Sequence, residues 1–193
     1  MGMNRLSREK TDLREAVKAR ARALPLSYFQ EAGRKMADLF LASDLYLRAS
    51  LIFAYASQKR EADTFYLMEK ILGDGKRLAL PRCLENGEME AVEIFTLEDL
   101  ERGSFGIFEP KKSCPRPEKK DLDLVYAPCL SASYKGQRLG KGGGYYDRFL
   151  ADFSGKILVA CPQKLIFPTL PVGPLDCGFP WILTEEGLFP AKD

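Results

Sequence analysis

The sequence predicts an α/β fold built on a parallel sheet. Short apolar runs that are typical of buried strands alternate with stretches in which apolar residues recur at helical spacing. A strand, a helix and a strand in that order predict a right-handed crossover, which makes the two strands parallel. The chain has 193 residues, of which 46% are hydrophobic, and no repeat or linker divides it. We therefore expect one domain over residues 1–193.

Two helices are predicted before the first strand. The first covers residues 7–24, where apolar residues recur at helical spacing until Pro25 ends the pattern. The second is predicted to begin at a capping box formed by Ser27 and Gln30. Its apolar stripe comprises Phe29, Ala32, Met36, Leu39 and Phe40.

The first half of the sheet follows these helices. Leu51–Ala56 is apolar throughout and predicts a buried strand, residues 65–72 predict a helix, and Arg77–Pro81 is strand-like again. Asn86-Gly87 marks a tight turn, and the alternation over Met89–Phe95 predicts a strand after it. We expect this hairpin to lie at one edge of the sheet.

The second half of the sheet begins after a polar connection. Residues 111–120 carry five basic residues and two prolines without interleaved aromatic residues, which indicates a solvated loop. Leu122–Ala127 predicts a further buried strand, and Ile157–Ala160 predicts another. Between these two strands, a glycine-rich loop is followed by a helix that begins at about Tyr145.

Composition excludes several classes of protein. The chain has 29 basic and 27 acidic residues, and a net charge of +2 offers no broad cationic surface for nucleic acid. Its longest apolar run has six residues, far short of the roughly 20 that cross a bilayer. Five cysteines without a Cys-x-x-Cys pair argue against a disulfide framework or a zinc site. We expect a soluble protein of the reducing cytosol.

The chain contains no histidine. A Ser-His-Asp triad, a cysteine nucleophile paired with histidine and a histidine metal site are therefore all excluded. Carboxylates, lysine, arginine, tyrosine and backbone amides remain for chemistry. Phosphoryl transfer suits this inventory, because it depends mainly on positioning and on neutralising charge.

The most informative segment is residues 136–148. Five glycines fall within nine residues, and Arg138, Lys141 and Arg148 supply positive charge. Such a loop brings backbone N–H groups close to phosphate oxygens, and the helix after it presents its N-terminus to the same anion. A bare glycine turn is the simpler alternative.

Two known phosphate-binding patterns do not fit this segment. A Walker A loop requires four residues between its first two glycines, whereas three separate Gly136 from Gly140, and Gly142 replaces the Ser or Thr after Lys141. A dinucleotide fingerprint requires a third glycine where the chain has Tyr145. A Rossmann oxidoreductase is therefore disfavoured.

The segment resembles the signature of the 5-formyltetrahydrofolate cyclo-ligases. Every fixed position of the pattern Gly-x-Arg-Leu-Gly-x-Gly-x-Gly-Tyr-Tyr-Asp is matched over residues 136–147. The resemblance extends along the chain to Lys10-x-x-x-Arg14, Ser57-x-x-x-Glu61-x-Asp63-Thr64, Gly106-Ile-x-Glu109-Pro110, Gln163, Leu170-Pro171, Asp176 and Thr184-Glu185. It implies a three-layer α/β/α domain with a mixed, mostly parallel sheet.

The resemblance also implies the reaction and its partners. The family converts 5-formyltetrahydrofolate and ATP into 5,10-methenyltetrahydrofolate, ADP and phosphate, with Mg²⁺ as the metal. Phosphorylation of the formyl oxygen turns a poor leaving group into phosphate, which departs when N10 attacks the formyl carbon. Small molecules are then the only partners expected, without nucleic acid or membrane, and the protein is expected to be a monomer.

Site residues are implied by the same resemblance. Glu61, Lys141 and Arg138 are expected to carry the catalysis, with Lys141 beside the transferring group and Glu61 near the reacting folate nitrogens. Asp147 and Asp176 resemble the magnesium-associated carboxylates. ATP is expected to contact Lys10, Arg14, Arg138, Leu139, Gly140, Lys141, Gly142, Gly143, Gly144, Tyr145 and Tyr146. The folate is expected to contact Ala56, Glu61, Met89, Phe105 and Tyr145, although Met89 and Phe105 suit a hydrophobic core equally well.

Two departures from the family pattern leave an alternative open. Ala132-Ser133 replaces the usual Phe-Asp before the glycine loop, and Leu175 replaces the usual His before Asp176. A non-catalytic nucleotide-binding or folate-binding protein on the same fold is the alternative that these changes suggest. An RNA-associated protein that uses residues 111–120 is a third possibility, supported by charge alone.

Overall fold

The computed structural model describes residues 2–84, 87–103 and 106–192. In chain order its helices and strands are α1 (Gly2–Ala23), α2 (Leu26–Leu41), α3 (Asp44–Arg48), β1 (Leu51–Phe53), α4 (Phe65–Gly73), β2 (Arg77–Cys83), β3 (Met89–Ile94), β4 (Leu100–Arg102), β5 (Phe108–Pro110), β6 (Leu124–Pro128), β7 (Ser131–Ala132), β8 (Arg138–Leu139), α5 (Tyr145–Leu150), β9 (Lys156–Ala160), β10 (Trp181–Thr184) and β11 (Gly187–Pro190).

Seven of these strands form one mixed sheet in the order β11-β10-β9-β6-β1-β2-β3. The five inner strands are parallel to one another. The two edge strands run antiparallel, because β3 forms a hairpin with β2 and β11 forms one with β10. The prediction of a mostly parallel sheet with a hairpin at one edge is confirmed.

Helices cover both faces of this sheet. Alternate strand residues point to opposite faces, so that Ile52 of β1 packs on one side and Phe53 on the other. The first face is covered by α2, α3 and α4, and its core includes Met36, Phe40 and Met68. The second face is covered by α1 and α5. These two cores confirm the three-layer α/β/α architecture.

Local details of the second helix differ from the prediction. The capping box is wrong: Pro25 occupies the N-cap position, and Ser27 lies inside the first turn without capping it. Proline suits this place because its fixed φ precedes the helix without requiring an N–H. Leu39 lies at the edge of the predicted apolar stripe and is exposed, whereas Phe29, Met36 and Phe40 are buried.

Short hairpins lie outside the main sheet and were not predicted. Strands β4 and β5 pair with each other, and so do β7 and β8. The β7–β8 hairpin pairs Ser131 with Leu139 and Ala132 with Arg138. The segment predicted as a glycine-rich loop therefore begins as a strand. Pairing with β7 fixes its backbone at Arg138–Leu139.

No helix among the described residues is long and apolar enough to span a membrane. All five cysteines are free thiols in the structure.

Candidate active site

A cavity of about 870 Å³ lies at the carboxyl ends of the central parallel strands. Residues at or just beyond the ends of β1, β2 and β6 line it, including Ala56, Pro81 and Pro128. This edge is where open α/β sheets generally bind ligands, because the loops that leave the parallel strands diverge there. The glycine loop closes one side of the cavity, and the β2–β3 hairpin and β5 form the other.

The glycine loop presents free backbone amides to this cavity. Within the described part of the chain, the N–H groups of residues 141–144 donate to no protein acceptor. Carbonyl groups of the loop are held instead, because Arg14 Nε donates to Gly140 O at 3.0 Å and Arg148 Nη2 donates to Gly143 O at 2.7 Å. The loop therefore offers donors for an anion while arginines fix its backbone.

Two glycines of the loop are required by its backbone. Gly136 has a φ of 73°, and a Cβ there would lie 2.3 Å from the carbonyl oxygen of Phe179. Gly144 has a φ of 69° and immediately precedes α5. Both conformations are unfavourable for residues with a side chain. The glycines thus shape the turn itself, in addition to permitting close approach of a ligand.

Lys10 and Arg14 lie one turn apart on α1 and both line the cavity. The Lys10 ammonium donates to the Asp176 carboxylate at 2.6 Å, and both side chains are mostly buried. Arg14 contacts the glycine loop through Gly140. The predicted grouping of Lys10, Arg14 and the loop on one side of the cavity is what the structure shows.

Arg138 is a buried cation of the site, with only 7% of its side chain exposed. Its Nε donates to Pro128 O at 2.7 Å, and its Nη1 lies 3.6 Å from Asp147 Oδ1. The guanidinium also lies 5.0 Å from the centre of the Tyr146 ring. A buried arginine with these partners is a fixed positive charge at the cavity wall.

Asp147 and Asp176 were predicted to hold magnesium, and both line the cavity. Hard carboxylate oxygens suit this ion, which takes one or two of them together with substrate phosphates and water. Among the residues described, no group of three His, Cys, Asp or Glu side chains converges into a metal cluster. Two carboxylates suit Mg²⁺ in donor chemistry where other ligands complete its coordination.

Glu61 and Lys141 form an ion pair in the wall of the cavity. Lys141 Nζ lies 2.7 Å from Glu61 Oε1 and donates to Gln58 Oε1 at 2.9 Å. The second oxygen of Glu61 accepts the backbone N–H of Gln58 at 2.8 Å. Glu61 is 11% exposed, whereas half of Lys141 is exposed. The glutamate is therefore the fixed member of this pair, and the lysine is the member that can move.

Arg60 positions the loop that carries Glu61 and was not predicted from the sequence. Its backbone φ is 69°, in the left-handed region that favours glycine. Its guanidinium donates to Ala21 O at 2.7 Å and to Leu24 O at 2.8 Å, so it caps the end of α1. A non-glycine residue with a positive φ often has a positioning role of this kind. The backbone conformation of Arg60 cannot be read from the sequence.

The other half of the cavity is largely apolar. Of the residues predicted to contact folate, Ala56, Met89 and Tyr145 line it together with Glu61, and Phe105 lies outside the described residues. Further lining residues that were not predicted are Tyr55, Pro81, Cys83, Ile107, Phe108 and Cys129. Most come from separate loops and strands, and no contiguous motif marks them.

Two ionisable groups of this apolar half are a buried carboxylate, Glu109, and a half-buried thiol, Cys83. Glu109 is 3% exposed and accepts the backbone N–H of Cys83. Burial, reinforced by the Glu109 carboxylate, raises the pKa of the Cys83 thiol to about 11. This thiol is therefore protonated at neutral pH, which agrees with the expectation that the cysteines are not nucleophiles.

The two departures from the family pattern lie in different parts of the structure. Ser133 is fully buried in the β7–β8 turn, where its hydroxyl donates to Gln137 Oε1 at 2.9 Å, and it is not among the residues that line the cavity. Leu175 lines the mouth of the cavity beside Asp176 and is 86% exposed. The first departure is thus local to a turn, and the second faces the site.

Comparison with known proteins agrees with this geometry. The 5-formyltetrahydrofolate cyclo-ligase family matches residues 6–185. A 5-formyltetrahydrofolate cyclo-ligase of Mus musculus is 26% identical over 92% of this chain and 94% of its own length. The enzyme of the same name from Escherichia coli strain K12 is 30% identical over 71% of this chain and 77% of its own length.

Solved structures extend the agreement to the fold. The 5,10-methenyltetrahydrofolate synthetase of Aquifex aeolicus superposes with a TM-score of 0.85 at 26% identity, covering 95% of this chain and 93% of that one. The 5,10-methenyltetrahydrofolate synthetase of Mycoplasma pneumoniae has a TM-score of 0.73 at 18% identity, over 92% and 99% of the two chains, and supports the fold alone.

Proposed function

The chain belongs to the 5-formyltetrahydrofolate cyclo-ligase family and is an enzyme of that class, and we propose that it couples ring closure to ATP and Mg²⁺. In this reaction 5-formyltetrahydrofolate and ATP give 5,10-methenyltetrahydrofolate, ADP and phosphate. The proposal assigns the glycine-loop half of the cavity to the nucleotide and the apolar half to the folate.

The contact between Lys141 and Glu61 carries this proposal. Lys141 belongs to the glycine loop, whereas Glu61 follows β1 and borders the apolar half. Their charged groups lie 2.7 Å apart, so the nucleotide half and the folate half meet at one point. A phosphoryl group transferred between two substrates requires such a junction, because the donor and the acceptor must be held in line.

The proposed reaction begins with transfer of the γ-phosphoryl group. The formyl oxygen bonds to the γ-phosphorus while the bond to the β-phosphate oxygen breaks and ADP departs. N10 then attacks the formyl carbon and loses its proton, and the C–O bond breaks to release phosphate. The nitrogen lone pairs stabilise the methenyl cation that remains. Each turnover therefore consumes one ATP and releases one phosphate.

The cations of the site have separate parts in this scheme. Free amides of residues 141–144 bind phosphate oxygens, and Arg138 places a fixed positive charge at the cavity wall. Lys141 leaves Glu61 for the transferring phosphoryl group, since it is the more exposed member of that pair. Glu61 is then available to the folate nitrogens.

Asp147 and Asp176 would hold the magnesium ion, which supplies charge neutralisation between the phosphates of ATP. Each carboxylate already contacts a cation, Arg138 or Lys10. Binding of the nucleotide offers these cations phosphate oxygens as new partners. The two carboxylates thereby become available as hard oxygen ligands.

The test of this proposal is turnover by the purified protein with 5-formyltetrahydrofolate, ATP and Mg²⁺. We expect the methenyl chromophore to appear together with one phosphate per product, and both to require nucleotide and metal. Product that forms equally fast without ATP would contradict the coupling. Binding of both ligands by calorimetry without product would favour the non-catalytic alternative.

We also propose that residues 1–193 act as one domain and as a monomer in a reducing compartment. Both cores pack on the same sheet, and the five cysteines are free thiols. Light scattering of the purified protein gives the mass directly, and a single cooperative unfolding transition is expected for one domain.

A further inference from the structure

Two cysteines lie side by side where neighbouring strands of the main sheet end. Cys129 directly follows β6, and Cys161 directly follows β9. These strands are parallel, and their register pairs Pro128 with Ala160, the residues immediately before the two cysteines. Partners on neighbouring strands lie about 4.8 Å apart, and disulfides join Cα atoms that are roughly 4.4–6.8 Å apart. The register therefore brings the two cysteines within the span of a disulfide.

Both cysteine side chains lie on the same face of the sheet. Ala127 and Val159, two residues before them, belong to the core under α1 and α5, and Cys129 and Cys161 continue the same alternation. The Cys129 thiol donates to Ala160 O at 3.3 Å, and this carbonyl is bonded directly to the backbone nitrogen of Cys161. The two thiols are also close enough to hydrogen-bond with each other. The sulfur atoms therefore need little movement to meet.

The two thiols differ in their access to solvent. Cys129 is half-buried and lines both the main cavity and a second cavity of about 240 Å³. Cys161 is fully buried. Burial, together with the hydrogen bond to Cys129, raises the pKa of the Cys161 thiol well above its ordinary value. A small oxidant in either cavity therefore reaches the pair through Cys129.

We propose that Cys129 and Cys161 are a modification site at which hydrogen peroxide forms a reversible disulfide. The Cys129 sulfur attacks one peroxide oxygen, the O–O bond breaks, and one water leaves a sulfenic acid behind. The Cys161 sulfur then attacks the Cys129 sulfur, the S–O bond breaks, and a second water leaves with the Cys161 proton. The two thiols together lose two electrons, and the peroxide gains two.

The disulfide should act on the cavity through Arg138. Pro128, which precedes Cys129, accepts a hydrogen bond from Arg138 Nε at 2.7 Å. Formation of the disulfide moves the Cys129 sulfur from Ala160 O towards Cys161, and the end of β6 that carries the Pro128 carbonyl moves with it. We therefore expect oxidation to weaken ATP binding. This effect rests on the proposed function, which assigns Arg138 to the nucleotide, whereas the disulfide itself does not.

The first test counts thiols in the folded protein. The reduced protein is treated with hydrogen peroxide, and the remaining thiols are alkylated in denaturant. Two of the five thiols should be lost, the mass of the chain should fall by two hydrogen atoms, and dithiothreitol should restore both. Peptide mapping by mass spectrometry should find Cys129 joined to Cys161.

Variants of single cysteines separate the two steps. Cys161→Ala should stop the reaction at a sulfenic acid on Cys129, which dimedone traps, and Cys129→Ala should form no disulfide. Cys83→Ala is the matched control, because Cys83 lines the same cavity but its thiol lies beside Glu109. This control should form the disulfide as readily as the wild-type protein does. Circular dichroism of each variant checks that the fold is intact.

The second test measures the affinity for ATP by calorimetry. The oxidised wild-type protein should bind ATP at least about fivefold more weakly than the reduced protein, because Arg138 loses its fixed position. Dithiothreitol should restore the affinity. Cys129→Ala should bind ATP with the same affinity before and after peroxide treatment.

The inference would be overturned if all five thiols survived the treatment, or if Cys129 oxidised to a sulfinic acid without a disulfide. A disulfide that joins other cysteines or two molecules would also overturn it. A Cys129–Cys161 disulfide with unchanged affinity for ATP would refute the effect through Arg138. A reduced protein that binds no ATP would contradict the proposed function instead, and the thiol count would still test the cysteine pair.

Discussion

The two halves of the cavity are built in different ways. The glycine-loop half comes from residues 138–148, from α1 and from the loop that carries Asp176, and its cations contact carbonyl or carboxylate groups. The apolar half is assembled from the ends of β1 and β2, from β3 and from β5, and its lining is mostly uncharged. Lys141 and Glu61 are the point at which the halves meet.

The two halves place different requirements on the amino-acid sequence. Phosphate groups are bound by amides and fixed charges, which a short segment of restricted composition supplies. A planar heterocycle requires a shaped apolar wall, which many sequences provide. Substitutions in the first half should therefore act on the nucleotide, and those in the second should act on the folate.

The largest effect is expected for Asp147→Asn. It removes a carboxylate that we propose as a magnesium ligand, together with the partner of Arg138, and kcat/KM should fall more than about a hundredfold, near 2.7 kcal/mol. Asp152→Asn is the control, because Asp152 lies just beyond α5, pairs with Lys119 and is not among the lining residues. A loss of less than about tenfold with an intact fold would remove Asp147 from the metal site.

Glu61→Gln should separate the two halves at their junction. The amide keeps the shape and the hydrogen bond from Gln58 but loses the charge, so kcat/KM for 5-formyltetrahydrofolate should fall about ten- to hundredfold. The affinity for ATP, measured by calorimetry, should be retained. An unchanged kcat/KM for the folate would refute the assignment of Glu61 to that side.

Lys10→Ala and Arg14→Ala should affect the nucleotide half alone. Each removes a charge-assisted contact worth roughly 1.5–3 kcal/mol, so ATP should bind about tenfold more weakly or worse while the folate KM is unchanged. Arg5→Ala on the same helix is the control, since Arg5 pairs with Glu9 at the surface. Equal losses for both substrates with reduced helical circular dichroism would indicate a structural role.

The smallest effect on catalysis is expected for Ser133→Asp, which restores the usual family residue. Ser133 lies in the β7–β8 turn and is not a lining residue, so kcat/KM should change less than about tenfold. The new carboxylate would face Gln137 Oε1, and the melting temperature should fall. A large gain in kcat/KM would mean that the chain has lost a catalytic carboxylate at this position.

Five strands of the main sheet were predictable from their burial pattern, whereas β10 and β11 were not predicted, although β10 is an inner, buried strand. Strands β1, β2, β3, β6 and β9 are apolar or alternating, and each coincides with a predicted segment. The short strands β4, β5, β7 and β8 were not predicted, because each has two or three residues and depends on tertiary pairing. The N-terminus of α2 was misjudged because a local Ser-x-x-Gln pattern competed with Pro25.

The site residues that could be predicted from the sequence lie mainly in the glycine-loop half of the cavity, and those that could not lie mainly in the apolar half. Residues of the glycine loop and α1 were identified from the family resemblance, because they belong to motifs with fixed spacing. Tyr55, Cys83 and Phe108 were not, since each contributes only apolar surface from a separate element. Arg60 was hidden because its role depends on a left-handed backbone and on two carbonyls at the end of α1.

The most direct test of the account is the fate of the formyl oxygen. 5-Formyltetrahydrofolate labelled with ¹⁸O in the formyl group is turned over with ATP, and the released inorganic phosphate is examined by mass spectrometry. Transfer of the γ-phosphoryl group across the Lys141–Glu61 junction predicts that each phosphate carries one ¹⁸O atom. Unlabelled phosphate would show that ATP is hydrolysed without phosphorylation of the folate, and would contradict the account.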